Sequence, residues 1–409
     1  MKYFKNTELA KLYNVSEKSV RNWIQSAQEG KLDLQLYTWN GKPYIANVSR
    51  NTLAIEELVQ KGKKYKNRRG HKVISPTSKF YDTFSPKQIF DIISNLTIHR
   101  ELPLKYSYLD GGADYWDQYV QRLSDEQSSN MFTSTVSLLD VNLGEIERAL
   151  GARKQVNIID LGPGNAFPIR NLLDYFQKTG RLKRYIAIDI SKEMLAITER
   201  NVRQWFGDTL NFESYVRDIG HERFDDLFAE DYAGNDADVP VNLVLLLGGT
   251  LCNLRSPDQA LQAINSSLGL DDLMIYSTKL DTPNSRRFFD FNLSHSELQE
   301  LTPRHRLTLD MLNIDDKLYD VEQYYDKERR ARFIGIRLKV ALSIEFKLPN
   351  GIRSVSFNKD DSILLWRYWH QEALDIIRQF DENDFDLQLA TKSQDQEYLL
   401  LTSKIKRGD

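Results

Sequence analysis

The segment Val156–Asn165, VNIIDLGPGN, followed by YIAIDISKEML at Tyr185–Leu195, constrains this chain more than any other. It predicts a buried strand, a glycine turn, a helix, and a second strand ending in an acidic residue. The first strand is apolar at Ile158 and Ile159 and stops at Asp160. Gly162 and Gly164 permit a sharp turn and a close backbone approach to a ligand. A helix from about Phe167 to Lys178 would then present its N-terminal N–H groups to that ligand. Asp189 closes the second strand, where a carboxylate can accept both hydroxyls of a ribose. The whole unit describes a nucleotide-sized site on an α/β sheet.

Such a turn serves dinucleotides, S-adenosylmethionine (SAM), or no ligand at all. Three details favour SAM. The third glycine of G-x-G-x-x-G is replaced by Phe167. Asp160 stands two residues before the first glycine, and D-L-G-P-G resembles the pattern of class I methyltransferases. DISKEML resembles the helix that follows the ribose-binding residue in those enzymes. The resemblance implies SAM as cofactor, held by Asp160, Gly162, Pro163, Gly164, Asn165, Asp189 and Ile190. Further strands are expected near Phe212–Val216, Val241–Leu247 and Leu273–Thr278. Each is a short apolar run, as parallel strands buried on both faces should be. Asp218 and Ile219 then fall where class I enzymes read adenine, and Gly248 falls beside the cofactor.

Composition narrows the class. Hydrophobic residues make up 41% of the 409 residues and aromatics 11%, enough for two or three cored domains. No run of about 18 apolar residues is present, so no membrane span is expected. The polar start MKYFKNTELAKLY does not resemble a signal peptide. A single cysteine, Cys252, excludes an internal disulfide and fits a reducing cytoplasm. With six scattered histidines, it also argues against a structural zinc site. Residues 1–80 hold 16 Lys and Arg against 6 Asp and Glu, whereas the remainder is acidic. A basic first domain suggests contact with a polyanion, or simple attraction to the acidic body.

That first domain reads as helix, turn, helix, hairpin, helix. Thr7–Leu12 and Glu17–Gln28 are the first two helices, the second capped by Ser16. Leu34–Trp39, an Asn40-Gly41 turn and Pro43–Asn47 form a hairpin. A third helix is expected over about Arg50–Lys61, before the basic run Lys61–Lys72. TELAKLYNVSEKSVRNWI and the wing YTWNGKPYI resemble the winged helix-turn-helix of MerR-type and excisionase-type proteins. The resemblance implies DNA contact through Lys18, Ser19, Arg21, Asn22 and Lys42, or alternatively docking or dimerisation.

After the fourth strand, Gly248-Gly249-Thr250-Leu251-Cys252-Asn253 resembles the G-S-T-I-G-N segment of the histidine Nα-methyltransferases of ergothioneine biosynthesis. Upstream, Ser107–Trp116 (SYLDGGADYW) is similar to that family's F-Y-D-x-x-G-S-x-L-F. Downstream, Leu318–Arg337 is similar to a helix and strand of the family. The resemblance spans roughly residues 85–409. It implies that Asn253 holds the amino or carboxylate group of the acceptor and that Tyr108 closes the pocket. Two family pocket tyrosines correspond to Phe132 and Phe289. The family's imidazole-contacting Glu and the Ser two residues later correspond to Ser354 and Ser356, so the Ser is kept and the Glu is lost. Without that carboxylate, histidine is a poor acceptor, and a less polar or differently charged amine fits better.

The remaining expectations concern organisation and mechanism. Residues 1–75 form the winged domain, 76–150 a helical lead-in, 151–280 the Rossmann-like core, 281–357 a substrate-binding insertion, and 358–409 the end of the core. Within these, Ile334–Phe346 and Ile352–Phe357 are expected as a hairpin and Asp361–Gln379 as a helix. Asp386–Thr391 and Tyr398–Lys404 are expected as a closing antiparallel pair. Methyl transfer from a sulfonium needs alignment above all, and proximity can supply about 7–11 kcal/mol. No dedicated base is evident; His295, His305 and His370 read as packing or surface residues. Amino-methylation of DNA would need [N/D/S]-P-P-[Y/F] where this chain has GGTLCN, and a C5-cytosine nucleophile would follow a proline, whereas Cys252 follows Leu251. The sequence therefore reads as a SAM-dependent N-methyltransferase for a small amine or amino-acid-like molecule. The alternative is a DNA-binding regulator that senses SAM or a metabolite. A homodimer is compatible with either.

Overall fold

A computed structural model describes all residues except 1–2, 14, 49–50, 52–53, 56–57, 60–69, 110, 126–128, 152–154, 234–238, 290–299 and 407–409. The chain divides into two compact units. One comprises Met1–Val73 with Val340–Ile344 and Ser356–Asn358; the other comprises Ile74–Lys339, Glu345–Val355 and Lys359–Asp409.

In the first unit, helices span Asn6–Leu12 and Glu17–Gln28. Ser16 Oγ accepts the Ser19 N–H at 3.1 Å and so starts the second helix where a hydroxyl cap is expected to. Leu9, Val20 and Ile24 pack with Leu34 and Ile45 in one core. Strands β1 (Leu36–Trp39) and β2 (Lys42–Ile45) pair around Asn40 and Gly41, whose φ angles are 48° and 72°. Two successive positive φ values are what a tight two-residue hairpin needs. Lys18, Arg21, Asn22 and Lys42 are exposed. Ser19 is half-buried, and its hydroxyl pairs with that of Ser16 at 2.9 Å. The expected third helix and the basic run after it lie largely outside the described residues. The chain is described again at β3 (Lys72–Ile74).

The second unit opens with helices, among them Pro86–Ile98, Gly112–Asp125 and Met131–Val141. Five strands follow: β4 (Val156–Leu161), β5 (Leu182–Asp189), β6 (Phe212–Val216), β7 (Val241–Leu246) and β8 (Leu273–Lys279). Every residue of β4 and β7 is buried, because apolar clusters cover both faces. Ile158, Leu243 and Leu245 point into one cluster with Phe176; Ile159, Val244 and Leu246 point into the other with Phe380.

Between β8 and the end of the chain, three expectations need correction. Leu318–Arg337 is not helix and strand but two strands, β9 (Tyr319–Asp326) and β10 (Ala331–Leu338), paired antiparallel. Ile334 therefore belongs to β10, and the hairpin is β11 (Leu342–Leu348) with β12 (Gly351–Phe357). Asp361–Gln379 is not one helix: Ser362–Trp369 is strand β13, and only Ala373–Glu382 is helical. The physical reason lies in SILLWRYW. Leu364, Leu365, Tyr368 and Trp369 fit one face of a helix, but Ile363, Leu365 and Arg367 alternate inward just as well. The β-rich composition and pairing with β10 decide for the strand.

The last strands, β14 (Phe385–Lys392) and β15 (Tyr398–Ile405), form the expected antiparallel pair. They complete a seven-stranded sheet in the order β14-β15-β8-β7-β4-β5-β6. β4 to β8 run parallel to their sheet neighbours among themselves, and β15 is antiparallel to β8. The chain winds outward from β4 in one direction and from β7 in the other. The crevice beyond the carboxyl ends of β4 and β7 is thus the switch point of the sheet, where such folds bind ligands. Among the described residues, no helix is long and apolar enough to cross a membrane.

Candidate active site

The loops after β4 and β7 touch at that switch point. Gly162 has φ 73°, and a Cβ placed there would lie 3.2 Å from Thr250 Oγ1. A side chain is therefore excluded by both conformation and space, which leaves the backbone of the Gly162–Asn165 turn open to a ligand. The turn is held from outside. Thr198 Oγ1 donates to the Gly164 carbonyl at 2.7 Å, and Asn201 Nδ2 donates to the Asn165 carbonyl at 3.0 Å. Asn165 Nδ2 donates to Asp117 Oδ1 at 3.0 Å, and the Trp116 indole nitrogen would lie 3.4 Å from a Cβ on Gly164. This pinned cradle fits close approach of the amino-acid end of SAM. Asp189 stands at the end of β5.

The two carboxyls of the motif are held differently. Asp160 is buried beneath the turn and accepts the Tyr185 hydroxyl at 3.0 Å. Burial pushes its pKa up to about 7 despite that bond, with the nearby Asp189 charge adding to the rise. Asp189 accepts the Ser191 N–H at 2.9 Å. Burial raises it to about 6, while the N–H groups of Ser191 and Ile190 pull it back. Pro163 sits between the two glycines, and Ile190 is half-buried beyond Asp189.

After β6, Asp218 is engaged. Its Oδ2 pairs with Lys105 Nζ at 2.7 Å and its Oδ1 accepts the Gly220 N–H at 3.0 Å. Burial works against the charge on Lys105, but Asp218 and Asp91 outweigh it and hold the ammonium above its ordinary pKa. Ile219, like Tyr215 and Leu254, packs against the core cluster that contains Ile159 and Phe380.

On the other side of the crevice, Asn253 ends the short helix Thr250–Asn253. Its Oδ1 accepts the Trp366 indole N–H at 2.8 Å. An indole nitrogen only donates, so this bond fixes the amide, with its NH2 group 3.6 Å from where a Cβ on Gly249 would lie. Trp369 donates to the Leu254 carbonyl at 2.8 Å. A Cβ on Gly249 would lie 3.2 Å from the Tyr368 ring, so the GGTLCN loop packs directly on β13. Gly248 has φ 77°, and its N–H donates to Ser277 Oγ at 3.3 Å. Cys252 is buried against the hydroxyls of Tyr276 and Thr278. Burial raises its thiol pKa, which suits packing rather than nucleophilic attack.

Tyr108 and Trp116 form an aromatic wall, with ring centroids 6.2 Å apart, and Phe132 stands 6.4 Å from Trp116. Ser191 Oγ donates to the Tyr108 carbonyl at 3.4 Å, which ties the wall to the end of β5. Of the sequence-predicted residues, this gathers Tyr108, Phe132, the glycine turn, Asp189 and Gly248–Asn253 around one crevice. Ser354 and Ser356 lie on β12, in a different sheet, where Ser356 Oγ meets Ser343 Oγ at 3.1 Å. Phe289 ends the helix Pro283–Phe289, but its side chain, Asp110 and His295 lie outside the described residues. His305 and His370 are buried, and burial lowers their pKa values to about 3 and about 4. Neither is charged near neutral pH, as packing residues require. Among the described residues, no cluster of His, Cys, Asp or Glu could hold a metal.

Sequence reasoning missed Trp366 and Tyr368 because it placed them on a helix. It missed Lys105 and Arg304 because nothing local marks them. Trp116 carried a faint signal, lying within the aromatic stretch LPLKYSYLDGGADYWDQYVQRL.

Residues 88–400 match the family described as "Histidine-specific methyltransferase, SAM-dependent". No curated protein matches the sequence. Among solved structures, the chain is similar to a SAM-dependent methyltransferase from Clostridium acetobutylicum ATCC 824, with 12% identity, 72% of this chain and 98% of that chain covered, and a TM-score of 0.38. It is similar to magnesium protoporphyrin IX methyltransferase from Synechocystis PCC 6803, with 10% identity, coverage of 74% and 98%, and a TM-score of 0.39. It is also similar to 1,6-didemethyltoxoflavin-N1-methyltransferase from Burkholderia thailandensis, with 11% identity, coverage of 79% and 92%, and a TM-score of 0.35.

Proposed function

Because the chain belongs to the family of histidine-specific, SAM-dependent methyltransferases, we propose that it methylates the nitrogen of a small amine or amino-acid-like acceptor other than histidine. The observation that carries this reading is the Trp366–Asn253 bond beside the glycine turn. It leaves the Asn253 NH2 group as a fixed donor for an oxygen of the acceptor, and Ser354 supplies no carboxylate at the position that resembles the family's imidazole-contacting Glu.

SAM supplies an electrophilic methyl group on a sulfonium. The protein's part is alignment. Gly162 and Gly164 admit the cofactor close to the backbone, Asp189 accepts its ribose hydroxyls, and Asp218 and Ile219 read adenine. Tyr108, Trp116 and Phe132 exclude water from the line of attack. Asn253 holds the acceptor so that its nitrogen lone pair faces the methyl carbon. As the new C–N bond formed and the C–S bond broke, the nitrogen proton would leave to a water or carbonyl acceptor, since burial holds His305 and His370 at low pKa. Incubation with labelled SAM across a panel of amines and amino acids tests the reading. A labelled N-methyl product from a member other than histidine supports it, and histidine as the sole acceptor would overturn the substrate assignment.

A second reading concerns the first unit alone. We propose that it is a winged helix-turn-helix. Its exposed Lys18, Arg21 and Asn22 on the second helix, with Lys42 on the hairpin, support contact with DNA. A salt-dependent mobility shift with duplex DNA, lost in a Lys18→Ala, Arg21→Ala double variant, is the expected result; no shift at low salt would leave this unit a docking module.

A further inference from the structure

Several arginines of the second unit that leave water find partners of opposite sign. Arg181, Arg184, Arg330 and Arg367 each reach a carboxylate, on Glu147, on Glu213 and Asp231, on Asp375, and on Glu101 respectively. Arg304 differs. It stands at the start of the helix Pro303–Met311, half-buried, and reaches no carboxylate among the described residues. Its guanidinium lies 5.4 Å from the centroid of Tyr108 and 5.7 Å from that of Trp116, and Nη1 donates to the Tyr108 hydroxyl at 3.3 Å. Its Nε is buried without a hydrogen-bond partner.

The two rings that frame this cation are those that touch the cofactor loops. Trp116 faces Gly164, and the Tyr108 carbonyl is bonded to Ser191, next to Asp189. A guanidinium drawn partly out of water with no counter-charge among the described residues is costly, and its planar fork suits bidentate binding of a carboxylate. Resting on the methyl-transfer reading above, we propose that Arg304 is the receptor for a carboxylate in the reaction chamber, carried either by the methionine part of SAM or by the acceptor. The aromatic frame fixes the plane of the fork, and the Tyr108 hydroxyl adds a neutral donor beside it. The site then favours zwitterionic amino-acid groups over plain amines.

Calorimetry on the full chain separates the two sources. The first arm compares S-adenosylhomocysteine with 5′-methylthioadenosine, which lacks the amino-acid group. The second compares histamine with L-histidine, tyramine with L-tyrosine and tryptamine with L-tryptophan, each titrated into protein saturated with S-adenosylhomocysteine. Arg304→Met is expected to weaken the carboxylated member of one arm about 10- to 100-fold and to leave its carboxylate-free counterpart within about twofold, the range of one lost charge-assisted hydrogen bond or pair of bonds. A loss in the first arm assigns Arg304 to the cofactor, and a loss in the second assigns it to the acceptor. Arg304→Lys, which keeps the charge but not the fork, is expected to recover part of the loss and serves in place of the Met variant if that variant does not fold. Equal binding of wild type and both variants in both arms would overturn the proposal. Labelled-SAM turnover of the same panel by wild type decides the methyl-transfer reading separately, because the first arm needs no turnover.

Discussion

The proposed cofactor side and the proposed acceptor side of the crevice are built from different material. The cofactor side comes from loops that follow consecutive parallel strands: the turn after β4, Asp189 at the end of β5, and Asp218 after β6. Each such residue sits where the sheet puts it, so its place follows from its neighbours in sequence. The acceptor side is assembled from distant pieces. Asn253 meets Trp366 across 113 positions of chain. A parallel α/β core fixes a general chemistry locally, whereas the choice of acceptor rests on long-range pairing that can change without disturbing the core.

The largest expected effect tests the local side. Asp189→Ala removes the acceptor for two hydroxyl donors. Affinity for SAM should fall about 100-fold, which is the loss of two hydrogen bonds to a charged group at the lower end of their range. Titration calorimetry measures it, and an unchanged dissociation constant would break the assignment of the β5 terminus to the cofactor. A smaller effect tests the long-range side. Trp366→Phe keeps a ring on β13 but removes the donor that fixes the Asn253 amide. Turnover should fall about tenfold with SAM affinity unchanged, in line with the loss of one positioning hydrogen bond. A fall in SAM affinity of the same size would show that the two sides are not separable.

The smallest effect is one of pH, and it runs in opposite directions for binding and folding. Burial lifts Asp189 to about 6 and Asp160 to about 7 in the folded chain, above the ordinary carboxylate value of 3.8. Between those values and pH 4 the folded chain binds protons that the unfolded chain has released. Their stabilising contribution is therefore full below pH 4 and is lost as pH rises through 6 and 7. Cofactor-free protein should melt higher at pH 5.5 than at pH 8, and Asp160→Asn should shrink the difference. If Asp189 is the hydroxyl acceptor, SAM binding needs it ionised, so affinity should weaken about three- to fivefold over the same drop in pH. An affinity independent of pH would argue that Asp189 is not the hydroxyl acceptor.

The same contrast explains what could be read from the sequence. β6 matches its expected bounds, and the other core strands match within a few residues, because a short apolar run between turn residues has one stable place in a parallel sheet. Glu17–Gln28 was equally legible through its Ser16 cap. β13 was not, since SILLWRYW carries apolar residues on both faces and satisfies a helical and a strand period alike. Only pairing with β10, which is non-local, resolves it. That one ambiguity hid Trp366 and Tyr368 and so most of the acceptor wall. Lys105 and Arg304 were illegible for a related reason: a lone cation among polar residues acquires meaning only from the carboxylate or ring it meets.

The account stands or falls on whether the two sides separate. Asn253→Ala, assayed for labelled-SAM turnover with the best acceptor of the panel and for SAM binding by calorimetry on the same preparation, addresses this most directly. We predict that turnover is abolished while the SAM dissociation constant stays within about twofold. Parallel loss of turnover and SAM affinity, or turnover that survives the substitution, would contradict it.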